Sequence, residues 1–180
     1  MNRYALFTDV SLNPVLKLGF GAYLVIPSSF LEMPPERIIR PEFVEQIRLR
    51  RFDDTSSAKL EVQTILWALE DFQKAASGSR FGTLDVYSDS QCVTGLQRRR
   101  PHLEINGFSS SGTHRLLKNA HLYRKFYEFH DALGFEVVKV VGHSRSCSHD
   151  SIHRIFSFVD KEARKALKLC MKEFQGKATT

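Results

Sequence analysis

Apolar and polar residues alternate with a period of two from Tyr4 to Val10, placing Tyr4, Leu6 and Thr8 on one face and Ala5, Phe7 and Asp9 on the other. That period predicts a strand. A second strand is predicted over Gly19–Ile26 after the loop 11–18, and looser alternation over Val44–Phe52 predicts a third. No helical period intervenes, so the three strands read as an antiparallel meander. The period then changes to 3.6. Thr55-Ser56-Ser57 supplies capping side chains for a long helix through Ala76, closed by Ser77-Gly78. A strand over Thr83–Ser88, a short helix over Asp89–Arg99 and a loop over Pro101–Gly112 follow. Next come a helix over Thr113–Leu133 ended by Gly134, a strand over Phe135–Val141, a Ser/His-rich loop over Gly142–Asp150 and a final helix over Ser151–Phe174. The pattern predicts a mixed α/β fold: three antiparallel strands and then two more alternating with helices, in a five-stranded mixed sheet flanked by helices. It is read as one domain, 1–176, with a flexible tail over 176–180.

One stretch breaks the rhythm. Pro27–Phe43 carries four of the six prolines at a point where a hairpin needs about 2–5 connecting residues. It is read as a tolerated surface insertion, in preference to a lid or a docking loop.

Composition narrows the class. Within 180 residues, 42% are hydrophobic and 26% charged, which excludes a disordered tail or a fibre. Lys and Arg number 26 against 20 Asp and Glu, a net +6 that weakly favours a polyanionic partner. The apolar run Tyr4–Phe7 is too short for a signal-peptide core, and no run approaches the ~20 residues of a membrane span. Cys92, Cys147 and Cys170 are odd in number and form no Cys-x-x-Cys pair, which argues against a disulfide framework. A cytoplasmic protein with no membrane association and no obligate protein partner is expected.

The chemistry enters through misplaced carboxylates. Glu61 shares a helical stripe with Ile65, Ala68 and Phe72, and Asp160 shares one with Phe156, Ala163 and Leu167. Each sets an acid at the inner edge of a packed face, where an isolated charge is costly unless a cation, a partner or solvent meets it. Asp9 closes the first strand and Asp89 follows the fourth. Singly, such acids are more often turn formers or helix caps. If their strands are parallel neighbours, four carboxylates converge at the strand ends where ligands bind in such sheets. Hard oxygen donors of this kind suit Mg²⁺ or Mn²⁺.

These residues lie in segments that resemble type I ribonuclease H. The strand Tyr-Ala-Leu-Phe-Thr-Asp9-Val-Ser, followed by Gly19-Phe-Gly-Ala22, is similar to the family's opening strand and its glycine-rich second strand. Thr55-Ser-Ser-Ala-Lys-Leu-Glu61, Tyr87-Ser-Asp89-Ser-Gln91, Gly142-His143 and Val159-Asp160-Lys-Glu-Ala-Arg164 match its later motifs in order. The resemblance implies the ribonuclease H-like fold and endonucleolytic hydrolysis of the RNA strand of RNA/DNA hybrids. It implies two Mg²⁺, with Mn²⁺ as a substitute, held by Asp9, Glu61, Asp89 and Asp160, and a proton-transfer or product-release role for His143. Ser11, Asn13, Ser57 and Gln91 are the implied contacts to the 2′-hydroxyls of the RNA strand. The chain departs from the family at Val10, where a glycine is usual, and at Ser57-Ala58, where amides are common. Both bear on substrate preference more than on metal chemistry. The alternatives are a related nuclease acting on DNA and a non-catalytic hybrid-binding module.

Two further features are read from the residues. Arg98-Arg99-Arg100, with Arg115, Lys118 and Lys125 at offsets 0, 3 and 10 of the predicted helix, form a candidate phosphate-binding basic face. A solvated charged surface is an equally good reading of the same residues before the resemblance is weighed. Cys147, His149 and His153 lie at intervals that could ligate zinc but match no finger template, and accidental clustering is favoured.

Overall fold

The structure is a computed structural model that describes residues 2–76, 81–141 and 150–177. Five strands, β1 (Asn2–Asn13), β2 (Leu18–Pro27), β3 (Arg48–Phe52), β4 (Phe81–Ser88) and β5 (Glu136–Lys139), form one sheet in the order β3-β2-β1-β4-β5. β1 pairs antiparallel with β2, and β2 with β3, while β4 runs parallel to both β1 and β5. This is the mixed sheet expected from the period changes.

Helices cover both faces. α2 (Ser57–Ala76) and α5 (Ala120–Leu133) cover one, around Leu6, Ile65, Leu69, Leu84, Phe126 and Phe135. α6 (Ser151–Lys177) covers the other, against Ala5, Phe7, Leu24, Ile26, Tyr87 and its own Phe156 and Val159. The alternation along β1 decides which side chain enters which core. Gly19 and Gly21 let α2 lie directly on the backbone of β2. A Cβ at Gly21 would sit 2.1 Å from Thr64 Oγ1, and one at Gly19 would sit 2.4 Å from Leu60 Cδ2.

Several expected boundaries shift, each for a local reason. The loop placed at 11–18 shrinks, because the β1–β2 ladder continues to Asn13 paired with Leu18. Asn13 Oδ1 accepts from the N–H groups of Val15 and Leu16, both at 3.1 Å, closing a tight turn that hydrophobicity does not reveal. The third strand begins at Arg48, and Val44 instead ends a short helix, α1 (Arg40–Val44).

The proline-rich stretch lies mostly at the surface but is anchored at two positions. Two 3-10 turns, Ser28–Glu32 and Pro35–Arg37, lead into α1, and Ile38 and Phe43 are only 0% and 1% exposed. Phe43 packs on Phe30 and Phe158 at ring distances of 5.4 and 6.0 Å, so the segment builds part of the core beneath α6.

The central helices also move. After α3 (Gln91–Thr94), α4 runs Leu96–Ile105 straight through Pro101, where a loop was expected. Buried Leu96 and Leu103 and the Arg100–Glu104 ion pair at 2.7 Å hold it. The helix expected from Thr113 starts only at Ala120. Phe108 and His114 have φ of +60° and +50°, and a bridge joins Ser109 to Leu116, a backbone that no helix accommodates. Among the described residues no helix is long and apolar enough to cross a membrane.

The close approach at Gly21 gives a direct test. Gly21→Ala should cost about 1–3 kcal/mol in a denaturant unfolding series, because overpacking forces Thr64 and α2 away from β2. Gly112→Ala, with nothing within 4 Å of the added methyl, should stay within about 0.5 kcal/mol of wild type. Equal losses at the two positions would refute the packing account.

Candidate active site

The parallel pairing of β1 and β4 brings their carboxyl ends side by side. Phe7 pairs with Tyr87 in the ladder, and their rings stack at 4.8 Å and 14° on the α6 face. Two residues beyond these rings come Asp9, still in β1, and Asp89, one residue past the end of β4. A recess here is lined by Thr8, Asp9, Val10, Glu61, Ser88, Asp89 and Ser90. Asp160 reaches Asp9 from α6.

These acids are in electrostatic conflict. Burial pushes the Asp9 carboxyl up to about 8, aided by the negative charges of Asp89 and Asp160 and by a hydrogen bond with Asp160. The N–H of Val10 opposes the rise without cancelling it. Asp160 is itself held by Arg164, whose Nε lies 2.6 Å from Asp160 Oδ1.

Glu61 enters the same recess from α2, on the opposite side of the sheet, and is held differently. Its Oε2 accepts from Ser90 Oγ at 2.6 Å and its Oε1 from Ser57 Oγ at 3.1 Å. Ser90 Oγ also accepts from the N–H of Val93 at 3.1 Å, capping α3. Ser90 therefore ties the start of α3 to the carboxylate of α2. It is a site residue that sequence reading passed over, although a serine directly before a helix is the signal that could have found it.

The donor set is four carboxylates, which matches the preference of hard divalent cations for oxygen. Among the described residues no three His, Cys, Asp or Glu side chains already form a cation-binding group. Glu61 accepts from two hydroxyls and Asp160 from Arg164, and each of these carboxylate oxygens has a second lone pair with which to meet a cation.

The other expected contacts divide. Ser11 lies two residues beyond Asp9 on the same face of β1 and is half-buried, and Gln91 is exposed at the start of α3. Asn13 is engaged with the turn and, through Nδ2, with the Met171 sulfur at 3.2 Å. Of the arginine triplet, Arg98 is exposed. Arg99 donates to the carbonyls of Cys92 and Gly95 at 2.9 and 3.2 Å, and Arg100 pairs with Glu104 and Asp131 while lying over Tyr127. Arg115 and Lys118 precede α5 instead of sharing a helical face with Lys125, which corrects the single basic stripe. All three remain exposed. His143, Cys147 and His149 lie outside the described residues. His153 Nδ1 meets Asp150 Oδ1 at 2.7 Å.

No protein-family model matches the chain, and no curated protein sequence matches it. Among solved structures it is similar to a foamy viral protease–reverse transcriptase in complex with dsDNA, with a TM-score of 0.55 and 12% identity. The match covers 90% of this chain and 93% of that one. At that identity the likeness shows the fold alone. Together with the sheet order, it establishes the ribonuclease H-like fold.

The Asp9 conflict predicts a pH signature. Asp9 ionises near 3.8 when unfolded and near 8 when folded, so between these values the unfolded state has lost a proton that the folded state keeps. Stability should therefore fall as pH rises through that window when chelator removes divalent cations. Asp9→Asn should flatten the fall in Tm and raise Tm at pH 8. An equally steep fall in the variant would remove Asp9 as its source.

Proposed function

We propose that this protein is a divalent-cation-dependent nuclease that hydrolyses the RNA strand of RNA/DNA hybrids. One observation carries the reading: acids from three separate elements, Asp9, Asp89 and Asp160, are gathered at the carboxyl ends of two parallel strands, with Glu61 lining the same recess. A fold gains no stability from such a cluster unless a cation meets it.

Asp9, Glu61, Asp89 and Asp160 would hold two Mg²⁺ or Mn²⁺. Such a pair, when bound, activates water and stabilises the leaving oxygen of a phosphodiester. The chain's own residues prepare the site. Ser90 and Ser57 keep Glu61 beside the recess, and the stacked Phe7 and Tyr87 fix the spacing beneath Asp9 and Asp89. Ser11, Ser57 and Gln91 are assigned to the 2′-hydroxyls of the bound RNA strand, while Asn13 shapes the hairpin that presents Ser11. Arg98, Arg115, Lys118 and Lys125 are assigned to phosphates, because Arg99 and Arg100 are occupied by intramolecular partners. His143 is assigned to proton transfer.

Duplex DNA is the second reading, since the solved neighbour is in complex with dsDNA. Cleavage of matched RNA/DNA, RNA/RNA and DNA/DNA duplexes with Mg²⁺ or Mn²⁺ separates the two. Only the hybrid should be cut, in its RNA strand. Asp9→Asn and Asp89→Asn should each reduce cleavage by more than the roughly 100-fold typical of losing an outer-shell partner, with hybrid binding retained. Cutting of DNA/DNA alone would transfer the assignment to the second reading, and undiminished cleavage in both variants would end the metal assignment.

For binding, Arg98→Ala should lower the slope of log affinity against log salt by about 1. Arg99→Ala should leave that slope unchanged. The reverse ranking would show that the intramolecular bonds of Arg99 yield to phosphate.

A further inference from the structure

We propose that the segment joining β2 to β3, Ser28–Ile47, is a positioning strap that holds Asp160 in the site, acting chiefly through Arg40 and the buried carboxylate of Glu162. The inference rests on the reading of Asp160 as a cation ligand.

An antiparallel pair such as β2 and β3 can be joined by about 2–5 residues. Here the connection leaves the sheet and returns by way of α6, gripping it at three levels. Ser151 Oγ donates to the Met33 carbonyl, Arg154 Nε donates to the Ile38 carbonyl at 2.7 Å, and Arg40 pairs with Glu162 Oε1. The first two ties lie before Asp160 in the helix and the third lies after it. Between them Phe43 packs on Phe158 at 6.0 Å.

Helical geometry makes the third tie decisive. Residues two apart point about 200° from one another around a helix, so Glu162 and Asp160 face nearly opposite ways. Asp160 turns to Asp9, while Glu162, only 6% exposed, turns to the strap. Lys165 Nζ is a distant second partner for Glu162, at 3.9 Å from Oε2.

The strap therefore has a force to oppose. Without cations, the like charges of Asp89 and Asp160 on either side of Asp9 favour rotation or retreat of α6. Either motion pulls Glu162 from Arg40 and leaves a buried carboxylate poorly paired, which is strongly unfavourable. The same pairing that resists the repulsion keeps Asp160 where a cation must find it, so that less reorganisation accompanies binding. Arg40 and Glu162 are positioning residues, since neither touches the reacting atoms.

The test uses the full 180-residue chain. Mn²⁺ is titrated while Tm and hydrolysis of an RNA/DNA hybrid are followed. Arg40→Ala should raise the half-saturating Mn²⁺ concentration about 10–100-fold by both readouts, the range for loss of an outer-shell partner. It should also lower kcat at limiting Mn²⁺ with KM for the hybrid unchanged. Saturating Mn²⁺ should restore kcat, and Arg40→Lys should recover most of the affinity. A lower Tm with unchanged half-saturation would overturn the proposal, because a merely structural pair would behave that way. If Arg40→Ala does not fold, Arg154→Ala removes one tie without stranding a buried charge, and it should shift half-saturation in the same direction or the strap is refuted. Failure of the underlying reading is distinguishable: wild type itself would then show no Mn²⁺-dependent change in Tm.

Discussion

The constraint on which the rest of the structure turns is the burial of Asp9 beside Asp89 and Asp160. Burial above all, and then the charges of the acids after β4 and on α6, keep the proton on Asp9 near neutral pH. A sheet and a helix separated by a large stretch of sequence do not meet in this way by default. The sheet must be rigid, and the helix must be held down, for the conflict to persist. Much of the architecture can be understood as supplying those two conditions.

Rigidity comes from the two cores. On one face α2 lies against the bare backbone of Gly19 and Gly21, which brings Glu61 to the edge of the recess. Ser90 then joins that carboxylate to the cap of α3, so two elements on the same side of the sheet share one hydrogen-bond network. On the other face α6 is packed between the sheet and the β2–β3 connection, through Phe158, Phe43, Ile38 and the Arg40–Glu162 pair. The four acids thus arrive from both sides of the sheet, and each arrival is fixed by contacts unlike those that fix the others.

The order of elements was legible because it depends on hydrophobic period, which changes from two to 3.6 at Ser57 and again beyond. Glu61 and Asp160 were legible because each interrupts an otherwise apolar stripe. Features that depend on side-chain hydrogen bonds were not. The extension of β1 follows from Asn13 capping its turn, and the passage of α4 through Pro101 follows from buried leucines and ion pairs on neighbouring turns. In the proline-rich connection the surface character was legible from proline and charge, but the burial of Ile38 and Phe43 was not, because it depends on a helix more than a hundred residues away. The arginine triplet shows the same limit. Charge was readable, but only the partners of Arg99 and Arg100 reveal that two of the three guanidinium groups are already engaged.

The central claim is that the clustered acids exist to be met by cations, and calorimetric titration of Mn²⁺ near pH 7 in buffers of different ionisation enthalpy tests it most directly. Because Asp9 holds its proton up to about 8, binding must expel that proton. The account predicts two ions bound per chain, with about one proton released and an observed heat that varies with the buffer. Absence of binding at millimolar Mn²⁺, or binding with no buffer dependence, would contradict it.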